Sequence, residues 1–315
     1  VKLIFMGTPE FALPALERLI EEGHQVEAVI TQPDKPAGRG NRPQPPPVKS
    51  LALERGIKVY QPERIRKNEQ VLSLFREIAP DACIVVAYGK ILPESLLAIP
   101  KFGCMNVHAS LLPKYRGAAP INWAIANGEL ETGVTIIKMD AGMDTGPILA
   151  ARATSIYPEE TAPELSARLA KMGAELLAET LPQIELGRIT PIPQDDSKAT
   201  YAPMLKREDG LLDWNMTARQ IADRVRGFQP WPGAYTFWRG HRLILWRARC
   251  ASACAAGAEP STILRIDDSG IAVACGAGSA LLIEELQLEG GRRLRARDFA
   301  NGFRLRAGDS LLAAS

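Results

Sequence analysis

The chain has only three histidines, His24, His108 and His241, and no H-E-x-x-H spacing, so a His-rich metal centre is not expected. Its five cysteines, Cys83, Cys104, Cys250, Cys254 and Cys275, are odd in number and irregularly spaced, which excludes a disulfide framework and points to a reducing compartment. Cys250 and Cys254 have no His or further Cys nearby, so no metal is expected there either. No apolar run reaches the roughly 18 residues of a membrane-spanning helix. Gly7 closes the first apolar run, but no G-x-G-x-x-G follows it, which argues against a dinucleotide site, and no G-x-x-x-x-G-K-[ST] marks a P-loop. Val1 to Gly7 enters a strand pattern at once, without the apolar run and small-residue cleavage site of a signal peptide. A cytoplasmic protein is expected, with an organellar matrix protein lacking its targeting segment as the alternative.

Charge is nearly balanced at +2, but it is unevenly spread. From Lys206 onward 16 Lys and Arg stand against 12 Asp and Glu, and every basic residue beyond Lys206 is Arg. Arginine binds phosphate with two parallel hydrogen bonds, so the bias suits a nucleic-acid surface; a preference for arginine codons explains it equally well.

The first half alternates short apolar runs with amphipathic segments. Strands are expected at 2–6, 25–31, 57–60, 82–87, 104–108, 133–139 and 148–154, and helices from Thr8 as N-cap towards Gly23 and over 69–78, 118–126 and 162–185. This alternation predicts an α/β fold with a doubly wound, Rossmann-like, mostly parallel sheet. The Pro-, Gly- and Arg-rich stretch 32–49 reads as a long loop, and such loops are usually functional. Residues 187–203 carry no apolar periodicity and three prolines, and read as a linker. Beyond a short helix at 217–226, apolar and polar residues alternate over 234–237, 242–248, 261–266, 270–274 and 280–286, between Gly-containing turns, which predicts a small OB-like β-barrel. The expected division is 1–187, a linker at 188–206, and 207–315.

Asn106, Val107 and His108 end one of the apolar strands, and the period of two puts Asn106 and His108 on one face. Asp144 follows in the turn Gly142-Met-Asp-Thr-Gly146. An amide, an imidazole and a carboxylate gather here without a Ser or Cys nucleophile. Asn106 and a protonated His108 can donate to a developing oxyanion, and Asp144 can hold the imidazole charged or take a proton through water. The set suits acyl transfer to an amine that is its own nucleophile. Read alone, His108 would more often be a hydrogen-bonded strand end and Asp144 a turn former. His24 and His241 read as solvated turn residues, and Trp123 and Trp231 as packing aromatics.

The segments NVHASLLPKYRGAAPINWAI (106–125) and ETGVTIIKMDAGMDTGPIL (131–149) resemble the core of the folate-dependent formyltransferases. MGTPEFALPAL (6–16), TQPDKPAGRG (31–40), RGFQPWPGAY (226–235) and LEGGRRLRARDFANG (288–302) are similar to the branch of that family acting on methionyl-tRNA, and the likeness covers essentially the whole chain. The resemblance implies that 10-formyltetrahydrofolate is the formyl donor and co-substrate, that no metal is needed, and that initiator methionyl-tRNA is the acceptor. It implies a catalytic set of Asn106, His108 and Asp144, folate contacts from Tyr88, Ser110, Leu111, Leu112, Pro113 and Gly117, and tRNA contacts from Lys35, Arg39 and Arg42. Arg293 and Arg304 are the expected phosphate contacts of the Arg-rich C-terminal part, and a monomer is expected. The chain departs from the family pattern in the prolines at 43 and 45–47 and in Met204, where relatives carry lysine. A relative formylating an amino sugar nucleotide, and a non-catalytic folate- or RNA-binding module, are the alternatives.

Overall fold

Seven strands form the larger sheet, in the order Ile148–Ser155, Glu131–Lys138, Cys104–His108, Ala82–Val86, Lys2–Gly7, Gln25–Ile30 and Lys58–Tyr60. The last five run parallel, and Glu131–Lys138 is antiparallel to both of its neighbours. The structure, a computed structural model, describes residues 1–37, 42–252 and 257–312. Leu3, Ile4, Phe5 and Met6 are wholly buried, as expected of a strand covered on both faces, which is why these strands read as continuous apolar runs.

The helices that flank the sheet follow local signals. Asn68 caps the helix Glu69–Ile78, accepting from the backbone N–H groups of Gln70 and Val71, and Ala79 ends it in a left-handed turn. Its Val71, Leu72 and Phe75 join Ile4, Met6, Ile30, Cys83 and Val85 in one apolar cluster. The long helix Ala162–Glu185 passes close to the strand that carries Asn106. A Cβ built on Gly173 would stand 2.8 Å from Val107 Cγ1, so glycine permits that approach.

Three sequence expectations give way. Thr8 does not cap a helix. Its hydroxyl accepts from the Gln32 N–H at 3.3 Å, and a 3-10 turn, Glu10–Ala12, leads into the helix Leu13–Glu21. The stretch 32–49 is not a plain loop, since Lys35–Ala37 pairs antiparallel with Arg42–Gln44, and Pro47–Glu54 is a helix. Pro36 faces Pro43, which an antiparallel ladder tolerates because alternate facing pairs exchange no hydrogen bond. Pro47 takes the first helical position, where a missing N–H costs nothing. The third is a helix the periodicity did not announce, Ala296–Phe303, with Ala296, Phe299 and Ala300 buried.

Contacts divide the chain into two units, one of 1–120, 131–155 and 166–203, the other of 121–130, 156–165 and 204 onward. The second unit is built on an antiparallel sheet in the order Ala234–Trp238, His241–Cys250, Ala280–Leu288, Gly270–Ala274 and Ile263–Asp267, with Arg293–Arg295 paired to Ala280–Leu288. Inward residues Leu243, Leu245, Ile271, Val273, Leu281 and Ile283 form its core with Phe299, whose ring meets Trp238 edge-on at 5.6 Å. The helix Ala218–Gly227 opens with a capping box from Thr217 and Gln220 and turns Ile221 and Val225 into the same core. Trp123 packs edge-on to Phe228 at 5.4 Å, as a packing aromatic should, whereas Trp231 is 55% exposed and lies outside the core.

Candidate active site

Asn106 and His108 are two residues apart on Cys104–His108, so the pleat presents both to one side. Asp144 comes back to them from the turn after Glu131–Lys138. The Asn106 amide donates to Asp144 Oδ1 at 3.2 Å, and the Gly117 N–H donates to Asp144 Oδ2 at 2.8 Å. His108 Nδ1 faces Asp144 Oδ2 at 3.6 Å, too long for a hydrogen bond. His108 Nε2 lies 2.9 Å from the Tyr115 carbonyl. A carbonyl only accepts, so Nε2 carries the proton, and Nδ1 is the ring nitrogen left for chemistry. The three side chains that the sequence singled out therefore converge on one spot, with His108 only 6% exposed.

The turn holding Asp144 is tightly built. Asp140 Oδ1 accepts from the Gly142 N–H at 3.0 Å and from the Thr145 hydroxyl at 2.7 Å. Asp144 itself sits at φ 55°, in the left-handed region. At Gly146 a Cβ would lie 1.9 Å from the Lys138 carbonyl oxygen, so only glycine fits.

A second ring of residues, which the sequence did not single out, surrounds this turn. The Gln194 amide nitrogen donates to the carbonyls of Asp144 and Gly146 at 2.8 and 2.7 Å. Its oxygen accepts from Arg116, whose guanidinium also pairs with Asp196 at 2.7 Å. Arg116 is 2% exposed, and a buried guanidinium demands such partners. No local pattern marks Gln194, which sits in a Pro-rich stretch without periodicity; the signal within reach was Arg116, which with Lys114 brings charge into an otherwise apolar and turn-forming segment.

The expected folate contacts fall into two groups. Tyr88 is buried in the apolar cluster, where desolvation pushes its phenol well above the usual range, and its carbonyl accepts from Gln32. Its side chain packs the core. Ser110 is fully buried, its hydroxyl donating to the Lys114 carbonyl at 2.6 Å, and Thr135 bridges the Ser110 carbonyl and the Leu112 N–H. These contacts shape the 110–114 loop. Leu111, Pro113 and Gly117 are half-buried, and Leu112 is buried.

Of the expected tRNA contacts, Lys35 is exposed on its short strand and Arg39 lies outside the described residues. The backbone of Arg42 pairs with Ala37. Arg293 is already paired with Glu285, and its guanidinium lies over the Trp246 ring at 5.2 Å from the centroid. Arg304 ends the helix Ala296–Phe303 in a left-handed turn, exposed, with no carboxylate partner among the described residues. Among the described residues no three His, Cys, Asp or Glu side chains converge as a metal site would require.

Residues 1–181 match the formyl transferase family model, and residues 204–304 match the model of the formyl transferase C-terminal domain. The chain is 54% identical over 308 residues to the methionyl-tRNA formyltransferase of Geobacter metallireducens, covering 98% of this chain and 97% of the relative. It is 51% identical over 311 residues to the methionyl-tRNA formyltransferase of Solibacter usitatus, covering 99% and 98%. In fold it is similar to an N-formyltransferase from Helicobacter canadensis solved with folinic acid and dTDP-3-aminofucose, at a TM-score of 0.66 and 18% identity, covering 90% of this chain and 98% of that one. HypX from Aquifex aeolicus, solved with tetrahydrofolic acid, aligns with a TM-score of 0.62 at 17% identity, over 96% of this chain and 47% of that one.

Proposed function

The chain belongs to the formyl transferase family, among the methionyl-tRNA formyltransferases, and on that footing we propose how it works: it transfers the formyl group of 10-formyltetrahydrofolate to the α-amine of methionyl initiator tRNA. The observation that carries the mechanism is the convergence of Asn106, His108 and Asp144 with no Ser or Cys nucleophile among them. Such a donor set fits an activated formyl amide as donor, because the amine is its own nucleophile and needs only its proton removed and the oxyanion held.

The amine attacks the formyl carbon, and the carbonyl electrons move onto oxygen. The second N–H of Asn106 and the Nδ1–H of a protonated His108 donate to that oxyanion. One such donor is worth about 10²–10³ in rate, since it acts on charge that appears only in the transition state. Nε2–H, held by the Tyr115 carbonyl, sets the ring plane. Asp144 stabilises the imidazolium and takes the proton the amine loses, directly or through water. Collapse of the intermediate returns the electrons to carbon and breaks the bond to the folate nitrogen, which leaves as tetrahydrofolate after taking back, directly or through water, the proton that Asp144 accepted from the amine.

Lys35, Arg39 and Arg42 are our candidates for contacts to the acceptor end of the tRNA, and Arg293 and Arg304 for phosphates. Leu111, Leu112, Pro113, Gly117, Ser110 and the backbone of Tyr88 are our candidates for the folate site. We expect the chain to act as a monomer in the cytoplasm. The test offers methionyl initiator tRNA, methionyl elongator tRNA and a dTDP-amino sugar side by side with 10-formyltetrahydrofolate. Formylated initiator methionyl-tRNA is the expected product; formylation of the sugar alone overturns the reading.

A further inference from the structure

The segment 194–202 lies between the stretches matched by the two family models, and its side chains and backbone grip both walls of the site. On one wall, Gln194 donates to the carbonyls of Asp144 and Gly146, one on each side of Thr145. On the other, the Tyr115 N–H donates to the Thr200 hydroxyl at 2.9 Å, and the Arg116 N–H donates to the Thr200 carbonyl at 2.8 Å. Tyr201–Ala202 then pairs in parallel with Arg116–Gly117. Arg116 ties the two grips together, since its backbone belongs to the second and its guanidinium holds the Gln194 side chain of the first.

Each grip ends on a group of the catalytic set. The carbonyl of Tyr115 orients His108, and the N–H of Gly117 is bonded to Asp144. The backbone of Asp144, in a conformation that non-glycine residues seldom adopt, is held through its carbonyl by Gln194. From this we propose that Gln194 is a positioning residue for Asp144, and Thr200 for His108 through Tyr115, so that the stretch joining the two family segments is the frame of the active site. The inference rests on the formyl-transfer reading above.

Gln194 suits the task chemically. Its two N–H groups serve two carbonyls at once, while its oxygen serves a guanidinium, so every polar atom is used. A glutamate of the same shape keeps the bond to Arg116 and loses both donors. The carbonyls of Asp144 and Gly146 are then left facing an anion, and the turn must move. Displacing a reacting group by about an ångström commonly costs about a hundredfold in rate.

The test measures kcat and both KM values for wild type, Gln194→Glu, Asp144→Asn and the double variant. Gln194→Glu is expected to lower kcat at least tenfold, with the KM values for tRNA and folate donor within about twofold of wild type. In the Asp144→Asn background the same change is expected to alter kcat less than twofold, because the carboxylate it positions is gone. A residue that merely supports the fold would lower activity by the same factor in both backgrounds. That multiplicative result, or a Gln194→Glu kcat within twofold of wild type, overturns the proposal. If Gln194→Glu does not fold, Thr200→Val set against His108→Ala puts the same question to the other wall, with the same two readings. Wild-type turnover is the control for the function itself. If wild type formylates only another amine, that reading falls, and the variants are compared on that amine.

Discussion

Asp144 carries the most demanding combination in the molecule, a left-handed backbone and a carboxylate that must meet three neighbours. Asparagine tolerates the left-handed region as aspartate does, so Asp144→Asn removes the charge and one of the two accepted hydrogen bonds while keeping the backbone of the turn. Its kcat is expected to fall by about a hundredfold or more, with the melting temperature close to wild type and folate affinity retained within about tenfold. Calorimetry beside a formylation assay checks this; wild-type turnover in Asp144→Asn and His108→Ala would remove the site from the mechanism. Gly146 offers the steric counterpart. A methyl group there meets the Lys138 carbonyl oxygen at 1.9 Å, backbone that has no free rotor to swing away. Gly146→Ala is expected to cost about 1–3 kcal/mol in denaturant unfolding and to lose activity because the turn carrying Asp144 shifts.

At the scale of elements, the helix Ala296–Phe303 fastens the C-terminal sheet. Phe299 is 1% exposed and touches both Trp238 and Phe303. Phe299→Ala is expected to destabilise the protein by about 3–5 kcal/mol, read from the denaturant midpoint at unchanged slope. The strands also set thiol chemistry. Burial pushes the Cys275 thiol up to about 12, and Cys83 is raised for the same reason, while Cys250 stands exposed at a strand end. Because the thiolate is the reactive form, a maleimide at neutral pH is expected to label Cys250 and to spare Cys83, Cys104 and Cys275 until the protein unfolds. Mass mapping of the labelled peptides reads the outcome; rapid labelling of Cys275 in the native protein would contradict its burial.

At the scale of the whole molecule, the arginine excess beyond Lys206 becomes a question of which guanidinium groups remain available. Arg293 and Arg297 are engaged with Glu285 and Asp268, so a phosphate would have to compete for them. Arg304 has no such partner among the described residues and is exposed. Arg304→Glu is therefore expected to weaken tRNA binding and to flatten its dependence on salt by roughly 0.7–0.9 log units per log unit for each lost contact, with little change in kcat at saturation. Titrations at several salt concentrations check it. An unchanged affinity and slope would mean that Arg304 touches no phosphate.

Local order was readable from local pattern. The helices over 69–78 and 162–185 and the strand 104–108 stand where periodicity puts them, because an amphipathic stripe or a period of two is written within a few residues. Asn106 and His108 share a face for the same reason. The Pro-rich stretch misled, since prolines that suggest a loop also fit a hairpin edge and a first helical turn. What could not be read were the contacts that frame the site from distant parts of the chain: Asp144 to Gly117 across 27 residues, Gln194 to Asp144 across 50, Tyr115 to Thr200 across 85. Residue type says that a buried arginine, glutamine or threonine needs partners; which partners it finds depends on how the sheet and its connections bring remote backbone together. The chemistry of the site was thus legible in its three side chains, and the frame that aims them exists only once the chain has closed around it.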